Sequence, residues 1–123
     1  MVLGIGCDII ELSRIEKSME KESFLPRYFT DKEIELIESR DVSRTWVTAA
    51  NFCAKEAVVK ALGTGFGDIT PREIEVLRRE SGAPYIVLHG NAFLEFEKTS
   101  ASRLSVSLSH SKEMAMAFVV IEG

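Results

Sequence analysis

The sequence predicts an α+β fold, an antiparallel sheet packed against one long central helix. Three observations carry that prediction. Asn51 to Gly65 reads NFCAKEAVVKALGTG, the last three turns of a helix that stops at Gly63. Two pairs of strand-like runs, Glu73–Arg79 with Tyr85–Leu88 and Arg103–Ser109 with Met114–Ile121, are each joined by a short turn, so each pair makes an antiparallel hairpin. The chain is 123 residues, 46% hydrophobic and 28% charged, which suits one domain over residues 1–123 with a core that needs no disulfide or metal staple.

The predicted order is β-α-α-α-β-β-α-β-β. Val2 to Ile10 sets Ile5, Cys7 and Ile9 against Gly4, Gly6 and Asp8, the alternation of a strand. The two glycines leave room beside Asp8 for another backbone or a ligand. Ser13 and Glu16 have capping-box spacing, so a first helix starts near Arg14 and ends before Phe24-Leu25-Pro26. Thr30 and Glu33 repeat that spacing before a second helix, which turns Ile34 and Ile37 inward and ends near Ser39. Asp41 or Ser43 caps the third helix, which runs to Leu62 and ends on a left-handed Gly63.

Gly63 to Gly67 is a loop, and Pro71 starts a short helical turn after Thr70. The Ser81-Gly82-Ala83-Pro84 turn joins the first hairpin. Asn91 caps a helix carrying Phe93, Leu94 and Phe96, and the turn of the last hairpin contains His110.

Composition excludes several classes. A net charge of −4 gives no global field for nucleic acid. There is no secretory leader pattern and no membrane-length apolar run. Cys7 and Cys53 read as reduced, buried thiols of a cytoplasmic protein. Gly4-x-Gly6 lacks the third glycine of a dinucleotide fingerprint, since Ile9 stands there, and no Walker A pattern occurs. No third partner completes a Ser-His-Asp triad around His110.

On a helical wheel Phe52, Val59, Glu56, Ala49, Lys60, Cys53 and Trp46 share one broad arc, and most are apolar. Glu56 in that arc needs compensation for its charge. Lys60, about 6 Å along the axis, supplies it as an i,i+4 ion pair. Alternatively Glu56 meets Asp8 where the helix crosses the first strand, and the two carboxylates hold Mg²⁺ together with substrate phosphates. The negative end of the helix at Gly63 repels phosphate unless Lys60 or a metal offsets it. His110 is either a solvated turn residue or, with Ser109, Ser111 and Lys112, part of an anion site. Arg14, Lys17, Lys21 and Arg27 form either a solvated helix face or a docking patch for an acidic partner.

GIGCDIIELSRI, FCAKEAVVKALGTG, SGAP with its following strand, and VSLSHS occur in order from residue 4 onward. Together they resemble the holo-[acyl carrier protein] synthase family, the small phosphopantetheinyl transferases of fatty-acid synthesis. The resemblance implies transfer of 4′-phosphopantetheine from coenzyme A to a serine of apo acyl carrier protein, releasing adenosine 3′,5′-bisphosphate. By match, Asp8 and Glu56 would hold Mg²⁺ against the pyrophosphate. Lys60 would contact the pyrophosphate and is one candidate base for the serine, a water on Asp8 or the metal being the other. Gly63 would lie along the phosphates, and Pro84, His110 and Ser111 would border the adenosine 3′-phosphate. Arg14 would dock the carrier protein. Members of this short type form homotrimers with active sites between subunits.

Three residues depart from the family pattern. Asn51 stands where Arg is frequent, Met114 where Tyr is frequent, and Cys7 replaces an aliphatic residue. Asn51 implies a weaker cationic contact to coenzyme A or the carrier. Asn51 and Met114 also leave open a non-catalytic coenzyme A or carrier-protein binding module, and a further alternative is another Mg²⁺-dependent phosphoryl-group enzyme on the same scaffold.

Overall fold

A computed structural model describes residues 1–123. The elements are β1 (Val2–Glu11), α1 (Leu12–Met19), α2 (Phe24–Tyr28), α3 (Asp31–Glu38), α4 (Arg44–Leu62), a 3-10 turn (Pro71–Glu73), β2 (Ile74–Arg78), β3 (Pro84–Leu88), α5 (Gly90–Lys98), β4 (Arg103–His110) and β5 (Met114–Glu122). All strand pairs are antiparallel, as expected, but they form two sheets rather than one. β5 lies between β1 and β4, and β2 pairs only with β3. Helix α4 packs on both β1–β5 and β2.

That position corrects the single inward arc expected of α4. A helix packed on two sides buries residues around most of its circumference. Ala50, Ala54, Lys55, Ala57 and Val58 are buried although they lie outside the arc. Trp46, Phe52 and Glu56 are only half-buried, and Lys60 is exposed. These four mark the edge where α4 emerges from the core, which is where a site can form.

Gly4 and Gly6 explain how close α4 comes to β1. A Cβ at Gly4 would collide with the carbonyl oxygen of Ala61, and one at Gly6 with that of Ala57. The glycine face therefore packs on the helix, while Ile5 and Ile9 face outward, 60% and 62% exposed. Cys7 shares that outward face and is exposed, contrary to the expectation of two buried thiols. Gly6→Ala must push backbone apart. It is expected to destabilise the fold by about 1–3 kcal/mol or more, read as a lower urea midpoint.

Several boundaries differ from expectation for local reasons. The Ser13–Glu16 capping box does not form. Helix α1 begins at Leu12, whose N–H donates to Glu113 O at 2.8 Å in the β4–β5 turn. Helix α2 was not expected. Pro26 sits in its first turn, where the missing N–H has no intrahelical partner to lose. Phe24, Tyr28 and Phe29 then cluster with Phe52, with ring centroids 5.2 to 6.4 Å apart.

The Thr30–Glu33 box does form: Glu33 N–H donates to Thr30 Oγ1 at 3.2 Å, and Thr30 N–H to Glu33 Oε1 at 3.1 Å. Ser43 precedes α4 without a side-chain cap, and Gly63 ends it at φ 77°. Asn91 is not a cap. Helix α5 starts at Gly90, and Glu73 Oε2 accepts the Asn91 N–H at 3.1 Å. His110 is the last residue of β4 rather than part of the turn.

Candidate active site

Asp8, Glu56 and Lys60 converge. Strand alternation puts Asp8 on the glycine face of β1, one step beyond Gly6 and under α4. Lys60 on the last turn of α4 reaches down to it, with Nζ 3.2 Å from Asp8 Oδ1 and 3.0 Å from Cys7 O. The expected i,i+4 pair with Glu56 is therefore replaced by a pair with Asp8.

The electrostatics are those of a crowded anionic site. Burial pushes the Glu56 carboxyl above its usual range, the nearby Asp8 charge pushes it further, and Lys60 offsets only part. The hydrogen bond to Asp8 and its charge hold the Lys60 ammonium above the ordinary lysine range. Two carboxylates share one ammonium, which leaves a local charge deficit.

Cys53 lies beneath the same group. Burial first, then Asp8 and Glu56, push its thiol to about 12, so it is an inert thiol here. A recess of about 330 Å³ opens beside Glu56, walled by Tyr28, Phe52, Phe66 and Pro71.

The other expected site residues lie elsewhere. Gly63 closes α4 and is exposed. The N–H groups of Gly63, Thr64 and Gly65 donate back to Lys60 O and Val59 O, at 3.1 to 3.3 Å, so this loop offers a phosphate no free amide at these positions. Pro84 opens β3 opposite Arg78. Arg78 in turn donates to Asn51, in the N-terminal half of α4, at 2.8 Å.

His110 is exposed and stacks on Trp46, with centroids 3.9 Å apart and planes 10° from parallel. Ser111 Oγ accepts from Met114 N–H at 3.1 Å and Glu113 N–H at 3.3 Å, holding the hairpin turn. Trp46 precedes Glu56 by ten positions, roughly 15 Å along the helix. One chain therefore carries the carboxylate pair near one end of α4 and the His110 group near the other. Arg14 is exposed on α1, whose first residue Leu12 is tied to the β4–β5 turn by its hydrogen bond to Glu113 O.

Asn51 does not face a ligand. It is fully buried, its amide donates to Val76 O at 3.1 Å and Glu33 Oε2 at 3.3 Å, and its oxygen accepts from Arg78. The expected loss of a cationic contact to coenzyme A or carrier at this position is thus corrected, since Asn51 is a structural link between α4, α3 and β2.

The same network contains residues the sequence reading missed. Lys55 is 1% exposed and Glu33 is 0% exposed. Lys55 Nζ donates to Glu33 Oε1 at 2.7 Å, to Pro71 O at 2.9 Å, and to Ile74 O. The only sequence signal was a lysine between Ala54 and Glu56 on a helix apolar on two sides.

Known proteins share this architecture. Residues 4–119 match the family model described as the 4′-phosphopantetheinyl transferase superfamily. A holo-[acyl-carrier-protein] synthase of Lachnoclostridium phytofermentans is 43% identical, covering 99% of this chain and 97% of that protein. The crystal structure of a Bacillus anthracis holo-(acyl-carrier-protein) synthase in complex with CoA (3′,5′-ADP) superposes with a TM-score of 0.85 at 38% identity, covering 100% of this chain and 98% of that one. The holo-[acyl-carrier-protein] synthase of Neisseria meningitidis gives 0.88 at 33% identity, with both chains covered completely.

Proposed function

The chain belongs to the 4′-phosphopantetheinyl transferase superfamily, and on that premise we propose that it moves the 4′-phosphopantetheine group of coenzyme A onto a serine of an apo acyl carrier protein. The observation that carries this reading is the convergence of Asp8, Glu56 and Lys60. Similarity to synthases named for the carrier protein, one of them bound to coenzyme A, supports the substrates.

The residues fit Mg²⁺ on one condition. No three His, Cys, Asp or Glu side chains group into a metal site. Mg²⁺ is commonly held by one or two carboxylates, with substrate phosphates and waters filling the octahedron. Asp8 and Glu56 are such a pair, and their mutual repulsion is the charge deficit a cation relieves. When bound, Mg²⁺ would neutralise charge on the pyrophosphate.

The chain's own part follows. The serine oxygen attacks the phosphorus bearing pantetheine, and the bond to the adenosine 3′,5′-bisphosphate leaving group breaks. Lys60, exposed at the rim, can leave Asp8 for the pyrophosphate. An exposed lysine is an ammonium at neutral pH, which suits a phosphate contact and not a base. A water against Asp8 is then the acceptor for the serine proton.

His110, Ser111 and Pro84 would border the adenosine 3′-phosphate, with Gly63 beside the phosphates. Exposed Arg14, Lys17, Lys21 and Arg27 would dock the acidic carrier. The separation of the His110 group from Glu56 along α4 favours sites completed between copies. The outward β1–β5 face, with Ile5, Ile9, Met116 and Phe118 exposed, offers an apolar surface for a homotrimer. Light scattering is expected to give a trimer, and a monomer at working concentration would remove that part. This function belongs in the cytoplasm, where carrier protein enters fatty-acid synthesis, and it would be carried out by one domain.

Mass spectrometry tests the reaction. Apo carrier protein incubated with the chain, coenzyme A and Mg²⁺ should gain one phosphopantetheine arm. Binding without any mass gain would make it a non-catalytic module, a reading that buried Asn51 no longer motivates.

A further inference from the structure

The geometry points to Trp46 as a positioning residue that holds the His110 imidazole ready for the 3′-phosphate of coenzyme A. This inference rests on the reading that His110 borders that phosphate. Four observations carry it. His110 ends β4 and is exposed, yet its ring lies flat on the indole, with centroids 3.9 Å apart and planes 10° from parallel. No side chain or backbone group hydrogen-bonds either ring nitrogen of His110, whereas His89 is engaged by Glu75 at 3.2 Å. No hydrogen bond therefore competes with the stack in setting its orientation. Trp46 is itself held, half-buried near the start of α4 and packed against the edges of the core.

An exposed side chain at the end of a strand ordinarily samples several rotamers, and a ligand must pay to fix one. The indole removes part of that cost by fixing the imidazole plane. Both ring nitrogens stay free to point at an anion. The indole face is also the aromatic surface that best tolerates a cation, so an imidazolium engaged by phosphate keeps its stack. Trp46 touches no reacting atom in this arrangement. It acts through His110, on binding and not on the chemical step. Whether the His110 group serves the Glu56 of its own chain or of a neighbouring copy does not change the inference.

The test compares coenzyme A with 3′-dephospho-coenzyme A in the transfer assay, using the full chain with Mg²⁺. Trp46→Ala should raise KM for coenzyme A roughly fivefold, the worth of one aromatic contact. It should leave KM for the dephospho substrate, and kcat for both, within about twofold of the parent, a window well under one such contact. Trp46→Phe should restore most of the loss, and Trp46→Leu, apolar but unable to stack, serves as the working variant if Trp46→Ala does not fold. His110→Ala should abolish the discrimination between the two substrates.

Trp46 is the only tryptophan, so its fluorescence gives a readout independent of turnover. Adenosine 3′,5′-bisphosphate should change the emission and adenosine 5′-monophosphate should not, and His110→Asn should remove the response. If His110→Ala abolishes the discrimination but Trp46→Ala, or Trp46→Leu in its place, leaves both KM values at the parent's or raises both equally, Trp46 does not position His110. If His110→Ala leaves the discrimination intact, the placement of the 3′-phosphate at His110 fails first and this inference falls with it.

Discussion

Replacing Glu56 with Gln should slow phosphopantetheine transfer by roughly 100-fold or more, the equivalent of about 3 kcal/mol of lost transition-state stabilisation. It should also raise the Mg²⁺ concentration needed for half-maximal rate. Gln keeps the size of Glu56 and its place on α4, so the fold is retained. The charge it removes is the one burial and Asp8 already disfavour in the folded chain. Because that carboxyl has a raised pKa, its ionised form costs stability at neutral pH, and Glu56→Gln should unfold at the same temperature as the parent or higher. Gain of stability with loss of rate is the signature of a residue kept for function. Parent-like transfer under limiting Mg²⁺ would show that Glu56 is not a metal ligand.

Lys55→Met should cost about 3–5 kcal/mol of folding stability, the usual price of stranding one member of a buried ion pair. Lys55 spends all three of its N–H donors on Glu33, Pro71 O and Ile74 O. Removing it leaves the Glu33 carboxylate buried with N–H partners from Thr30, Val76 and Asn51 but no compensating charge. Burial already pushes Glu33 upward and Lys55 downward, so desolvation weighs heavily on both. Pairing Lys55→Met with Glu33→Gln should therefore be less destabilising than Lys55→Met alone. Urea denaturation of the four proteins in this cycle measures the coupling. An additive cycle would mean the pair contributes nothing as a pair.

How much of this was legible depended on whether local chemistry or tertiary packing decided each feature. The long helix, its Gly63 terminator, the Thr30–Glu33 box and both hairpins follow from caps, turns and alternation, and these are local. Asp8 beside α4 was legible because two glycines announced a close approach. Helix α2 was not legible, since five residues around Pro26 carry no period and are held by packing on Phe52. The role of Lys55 was hidden because its partner Glu33 already explained itself as a cap. The expected Glu56–Lys60 pair was sound helix spacing, but strand β1 brought Asp8 within reach of Lys60 and the cross-element pair won. The Trp46–His110 stack joins residues 64 positions apart by fold alone.

Binding of Mn²⁺, standing in for Mg²⁺ and followed by electron paramagnetic resonance with coenzyme A present, tests the central claim most directly. The parent should take up one Mn²⁺ per site. The Asp8→Asn/Glu56→Gln double variant, folded and still binding coenzyme A, should bind it about 100-fold more weakly, as expected for losing both protein ligands of an oxygen-coordinated ion. Parent-like Mn²⁺ affinity in the double variant would contradict the claim that these two carboxylates form the metal site.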